Sequence, residues 1–216
     1  MIELAAVLQD MADELSRLRI PFAVVGGLAV SVRGTPRFTN DADLAVAVEG
    51  DRQAEQLVRD LLGRGYRLLS QLEHRDTGRL ATMRLVSPRS QGPTNFVVDL
   101  LFASAGIEAE IVRAAERAEV LPQLVLPVAR RGHLIAMKVL SASDRRPLDR
   151  ADLLDLLRMA NEDDLRLTRE ALGAMHAMGT ERGRDLHAEL REHMRLAALP
   201  PDPTFTPRAG PPTPPP

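Results

Sequence analysis

Two carboxylates, Asp41 and Asp43, stand one residue apart in RFTNDADLAV (37–46), inside a run that otherwise reads as a buried strand. Side chains alternate faces along a strand, so both acids project to one side while Ala42, Leu44, Val46 and Val48 project to the other. Two like charges on one face repel unless a cation offsets them, and carboxylates at i and i+2 are well placed to hold a divalent ion. Asp99 interrupts the apolar run NFVVDLLFA in the same way, and an adjacent strand brings it toward the other two. Three acids on neighbouring strands are the ligand set of a two-metal site, in which Mg²⁺ ions roughly 3.5–4 Å apart activate a hydroxyl and steady a departing phosphate. The competing reading of Asp-x-Asp alone is an exposed strand end or a helix cap.

Upstream, VVGGLAVSVRG places Gly26 and Gly27 between a short apolar strand and a helix. Backbone N–H groups at such a turn can face phosphate at the positive end of the helix. An ordinary turn has the same sequence, but a dinucleotide-binding start requires G-x-G-x-x-G, which is absent here. Downstream, all 28 basic residues except Lys138 are arginine. A compact ammonium fits between phosphate oxygens where a planar guanidinium is too wide. The plain alternative is a lysine whose stem packs along a core helix. Asp149 and Asp152 follow one helical turn apart on a common face, near Arg146 and Arg150.

These residues need a scaffold. Apolar residues at helical spacing predict a helix over 3–19, then a strand at FAVV, a helix through LAVSVRG and a strand at ADLAVAV. A helix follows from Asp51 to the glycines at 63 and 65, with further strands at RLLS, LATMRLV and NFVVDLLFA. From about Gly106 to Leu199 the periodicity is mainly helical, with helices expected at RGHLIAMKVLSA, LDRADLLDLLRMA, DLRLTREALGAMHAM and RGRDLHAELREHMRLAA. Residues 200–216 hold nine of the 16 prolines and predict a disordered tail. The expected class is α+β: a core with a small mixed sheet over 1–105, a helical region over 106–199 that completes the site, and the tail.

Strand, Gly-Gly turn, helix and RFTNDADL together resemble the nucleotidyltransferase superfamily that includes DNA polymerase β. More narrowly they resemble the AbiEii-type toxins of bacterial type IV toxin–antitoxin pairs, sometimes called the MenT group. The shared pattern is a Gly-Gly or Gly-Ser turn, an Arg-x-Thr lead-in, Asp-x-Asp, and a later helix with Lys followed by RxxDxxD. This chain supplies Gly26, Gly27, Arg37, Thr39, Asp41, Asp43, Lys138 and, in RPLDRADLLDLL, Asp149 and Asp152, so the likeness spans about 20–160. The resemblance implies that Asp41 and Asp43 bind Mg²⁺, that Lys138 and Asp152 complete the catalytic set, and that Gly26, Gly27, Arg37, Thr39 and Lys138 hold the nucleotide. Asp99 is the third metal ligand in polymerase-like members, and Asp152 can take over part of its role. The implied activity is transfer of a nucleotide from an NTP to an RNA end, tRNA foremost, restrained by a cognate antitoxin. A small-molecule nucleotidyltransferase of the antibiotic-modifying kind, or a binding module on a decayed scaffold, are the rival readings.

Bulk composition narrows the partners. No apolar run approaches the roughly 20 residues that cross a bilayer, and the acid-bearing N-terminus is unlike a targeting peptide, so a cytoplasmic location is expected. The absence of cysteine excludes disulfides and thiolate metal sites. A net charge of −2 exerts no global pull on a polyanion. Bound RNA therefore needs a local cluster, for which Arg33, Arg37, Arg130, Arg131, His133, Arg145, Arg146 and Arg150 flank the proposed site. The five histidines, 74, 133, 176, 187 and 193, form no zinc motif, and no serine lies in a G-x-S-x-G elbow.

Overall fold

The computed structural model describes residues 2–39, 41–73, 80–89, 96–102, 105–143 and 146–198. The predicted proline-rich tail, and with it His74 and Arg145, lies outside the described residues. In chain order the elements are α1 (Ile2–Arg17), β1 (Phe22–Val25), α2 (Gly26–Arg33), β2 (Asp41–Val46), α3 (Asp51–Gly63), β3 (Arg67–Glu73), β4 (Leu80–Val86) and β5 (Val97–Leu101). There follow α4 (Glu108–Ala114), β6 (Glu116–Leu121), β7 (Leu124–Val128), α5 (Arg131–Ser141), α6 (Pro147–Arg158), α7 (Glu162–Ala177) and α8 (Leu186–Leu196). The class is the α+β arrangement expected, a mixed sheet followed by a helical C-terminal half.

The seven strands run in the order β3-β4-β5-β2-β1-β7-β6, which puts the Asp-x-Asp strand in the middle. β2 pairs antiparallel with β1 and parallel with β5. Its apolar residues Ala42, Leu44, Ala45 and Val46 are buried, so hydrophobic burial holds the backbone that carries the acids. Leu4, Val7, Leu8, Met11 and Leu15 form the buried stripe of α1, as their helical spacing predicts.

One hairpin departs from the predicted helical stretch. Residues 116–128 form β6 and β7, and β7 joins β1 in parallel through Val24 and Val128. Leu124, Leu126 and Val128 are buried while Val125 is exposed, a period of two that packing against β1 and α1 makes decisive. Gln123 closes the turn with a φ of 66°, and its N–H donates to Glu119.

α5 is buried along Leu134, Ile135, Ala136, Lys138, Val139 and Leu140 because α2, α6, α7 and α8 all pack against it. Being enclosed, it presents Lys138 from a rigid position. α7 starts with a reciprocal cap between Asn161 and Asp164. No helix of the described residues is long and apolar enough to cross a membrane.

Candidate active site

The parallel register of β2 with β5 sets Asp43 directly beside Asp99, and Asp41 beside Val97. The acids that interrupt the two apolar strands are thus brought together as the sequence predicts. A third strand adds a cation that sequence reasoning missed. β4 pairs antiparallel with β5 so that Arg84 lies opposite Asp99, and its guanidinium binds both carboxylate oxygens, Nε to Oδ1 at 2.8 Å and Nη2 to Oδ2 at 2.6 Å. Asp43 bears the strain of this crowding: burial, then the charges of Asp99 and Asp41, push its carboxyl up to about 6. A hydrogen bond from the Gly27 N–H and the charge of Lys138 oppose the rise. Among the described residues no three acids or histidines gather into a group that could hold a metal ion; Asp99 is turned onto Arg84 instead.

The two glycines earn their positions by close approach. Gly26 has a φ of 61°, and a Cβ there would lie 1.9 Å from Asp43 Oδ2. A Cβ on Gly27 would lie 2.9 Å from both Arg37 Nη2 and Thr39 Oγ1. The Gly27 N–H is aimed at Asp43, so this turn first seats the acid. Gly26→Ala is therefore expected to cost about 1–3 kcal/mol through backbone strain, and more if Asp43 cannot move. It should also lower nucleotidyl transfer more than tenfold; a variant with wild-type melting temperature and turnover would refute this account.

Arg37 and Thr39 return along α2. The Ser31 hydroxyl donates to the Gly27 and Arg37 carbonyls and accepts from the Arg37 N–H, which pins the loop against the helix. Arg37 then reaches α6, donating from Nε and Nη2 to Asp152 Oδ1 and Oδ2 at 2.7 and 2.9 Å. Thr35 is anchored on the same helix through Asp155. Lys138 meets this group from α5, with Nζ 2.6 Å from Asp149 Oδ1 and 2.7 Å from Asp152 Oδ2. Lys138 and Asp152 are buried. Burial alone would raise the Asp149 carboxyl, but its hydrogen bond and charge pairing with Lys138, aided by Arg146 and Ser141, hold it below the usual value. The structure thus joins Arg37, Lys138, Asp149 and Asp152 into one ion-pair network beside the acids of the sheet. Neither a snorkelling lysine nor a solvated acidic face describes it.

The basic cluster expected to meet RNA is largely committed inside the protein. Arg33 donates to the Ala129 and Val128 carbonyls and pairs with Glu116. Arg131 donates to the Arg33 carbonyl and to Asp164 at 2.8 Å, and Arg130 pairs with Glu116. His133 is buried against Glu110, and burial lowers its pKa despite that acid. Arg146, which precedes α6, pairs with Asp149 at 3.2 Å, and Arg150 on α6 is exposed.

A central Asp-x-Asp strand, a Gly-Gly turn packed on the second acid, and a buried lysine network together form the candidate site. Residues 9–210 match the family described as Nucleotidyl transferase AbiEii toxin, Type IV TA system, and the chain belongs to that family. No curated protein matches the chain by sequence. Solved structures of similar shape include an antigenic nucleotidyltransferase-like protein from Paracoccidioides brasiliensis, 20% identical, with a TM-score of 0.49 over 88% of this chain and 93% of that one. The antibiotic-resistance factor ANT(2'')-Ia is 20% identical, with a TM-score of 0.44 over 90% and 93%. The lincosamide antibiotic adenylyltransferase LnuA is 12% identical, with a TM-score of 0.44 over 72% and 97%. A toxin of a toxin–antitoxin system implies an antitoxin partner.

Proposed function

We propose that this nucleotidyltransferase is metal-dependent and transfers NMP from an NTP to the end of an RNA, with tRNA the expected acceptor. The observation that carries the metal dependence is the β2–β5 register, which sets Asp43 beside Asp99 with Asp41 two residues away on the same strand; burial and these neighbouring charges raise the Asp43 carboxyl. The formal charges of Asp41, Asp43, Asp99 and Arg84 sum to −2, three minus one, on neighbouring strands. The donors are carboxylate oxygens, which suit Mg²⁺. Asp41 and Asp43 would hold the ion, and it would supply neutralisation of the triphosphate and of the developing charge.

The chain's own residues supply position. Gly26 and Gly27 leave room for Asp43, and Arg37 and Lys138, braced by Asp152, present cationic groups from the opposite wall. The acceptor hydroxyl loses its proton as its oxygen forms a new bond to the α-phosphorus, the bond to the bridging oxygen breaks, and pyrophosphate leaves. The sheet carries the acids and α5 and α6 carry the lysine network, while β6 and β7 extend the sheet beyond the expected boundary at 105.

Family membership supports RNA as the acceptor, because a toxin must act on something essential to its cell. A second reading rests on a cavity of about 710 Å³ beside the Arg37–Thr39 loop, lined by Leu28, Val32, Phe38 and Val120 among others. It is large enough for a drug-sized hydroxylated acceptor. Incubating the full chain with each α-labelled NTP, Mg²⁺ and total RNA tests the choice. Label in RNA of tRNA size that chelation abolishes supports the proposal, whereas label only on a small hydroxylated compound, across all four NTPs, overturns it.

The surviving basic surface sets a further expectation. Arg150→Glu should weaken RNA labelling severalfold at low salt and make the remainder less salt-sensitive, since each lost phosphate contact reduces counterion release. Unchanged salt dependence would exclude Arg150 from the RNA path.

A further inference from the structure

We propose that Arg84 is a built-in cation of the site: it occupies both oxygens of Asp99 in place of a second divalent ion, leaving Asp41 and Asp43 to bind one. The inference rests on the metal-dependent reading above. It assigns a role to a residue that lies on a strand without other site groups.

The strand registers carry the argument. Asp43 on β2 is the neighbour of Asp99 on one side and Arg84 on β4 its neighbour on the other, so the order across three strands is acid, acid, guanidinium. Directly opposed residues on adjacent strands share a face and lie about 4.5–5.5 Å apart at Cβ. Arg84 engages Asp99 by a two-pronged fork at 2.8 and 2.6 Å, which uses both oxygens a metal would need. The Asp99 side chain is 10% exposed and that of Arg84 46%, so the guanidinium covers the carboxylate from the solvent side. A planar fork is the cation that best matches a carboxylate in this geometry, and it is always charged. Arg84 also lies within the field of Asp41 and Asp43. It therefore limits the negative charge presented to incoming metal. The alternative is that Arg84 is displaced when metal arrives and Asp99 becomes a ligand.

Mn²⁺ binding to the full chain without nucleotide, followed by the loss of the free-ion paramagnetic resonance signal, separates these cases. Wild type should bind one Mn²⁺, and Asp43→Asn should lose it. Arg84→Met should bind Mn²⁺ about tenfold more tightly or take up a second ion, because Asp99 is released. The double variant Arg84→Met/Asp99→Asn should return to within about threefold of wild type, since the pair is removed as a unit. That double variant leaves no unpaired charge, so it serves the test even if Arg84→Met alone folds poorly. A tenfold loss in the double variant, or unchanged binding in folded Arg84→Met, overturns the role of Arg84 while the metal site stands. Mn²⁺ binding that survives Asp43→Asn overturns the metal reading itself.

Discussion

Asp43→Asn is expected to abolish nucleotidyl transfer and, without divalent ions, to raise the melting temperature at pH 7. The opposite signs have one cause. Asp43 has its carboxyl raised to about 6 from an ordinary 3.8 by burial and by Asp99 and Asp41. A raised acid binds its proton more tightly in the folded state, so folding is disfavoured as pH rises from about 3.8 to 6 and the penalty is complete above that range. A gap of about two pKa units is worth on the order of 3 kcal/mol, and because Asp43 remains partly accessible, solvent screening trims this toward 2. At roughly 2–4 °C per kcal/mol for a chain of this length, the gain is about 4–12 °C. It should shrink as pH falls through this window and vanish below about pH 4. Asparagine keeps an oxygen for the Gly27 N–H, so that hydrogen bond survives.

Added Mg²⁺ should close the gap, because an ion held by Asp41 and Asp43 as proposed would stabilise wild type alone. Loss of transfer should exceed a hundredfold, since removing even an outer partner of a metal ligand costs about 10–100-fold. Thermal melts from pH 4 to 8, with and without Mg²⁺, check the sign. A variant less stable than wild type at pH 7 without metal would show that Asp43 is satisfied by its surroundings.

The parts of this site that were legible in sequence are those where a charge breaks a periodic pattern. Asp41, Asp43 and Asp99 stood out because each interrupts an apolar strand, and the registers brought Asp43 and Asp99 side by side. Gly26 and Gly27 stood out as a break between strand and helix, although their spatial reason, the closeness of Asp43, Arg37 and Thr39, required coordinates. Arg84 gave no such signal, since a basic residue in LATMRLV is also what a half-solvated strand contains. Its meaning depends on which residue of β5 it opposes. The Arg37–Asp152 pair joins residues separated by 115 positions, so local pattern cannot reveal it. The same limit explains the basic cluster: Arg33 and Arg131 look like a phosphate-binding surface until their carbonyl and carboxylate partners are seen. The β6–β7 hairpin was obscured by charges on β6 and by Pro127, although Leu124, Leu126 and Val128 carried the period of a strand.

Lys138→Ala is expected to be among the most destabilising substitutions in the chain, at about 3–5 kcal/mol, the cost of leaving buried charge without its partner. The ammonium lies 2.6 Å from Asp149 and 2.7 Å from Asp152, and Asp152 is buried. Arg37 and Arg146 remain as partial compensation, donating to Asp152 and Asp149 respectively. Arginine does not repair the loss, because two short contacts to separate carboxylates define a space for a compact donor, and overpacking there costs about 1–3 kcal/mol. Lys138→Met combined with Asp149→Asn should recover part of the stability without recovering transfer, since the charge imbalance falls while the cation proposed to meet the nucleotide is gone. Thermal melts and NTP titrations on the four proteins distinguish the two duties of the lysine. If Lys138→Ala destabilises but binds NTP as wild type does, Lys138 only braces α6; if NTP affinity falls in both Lys138→Ala and the recovered double variant, the same ammonium braces the fold and meets the nucleotide.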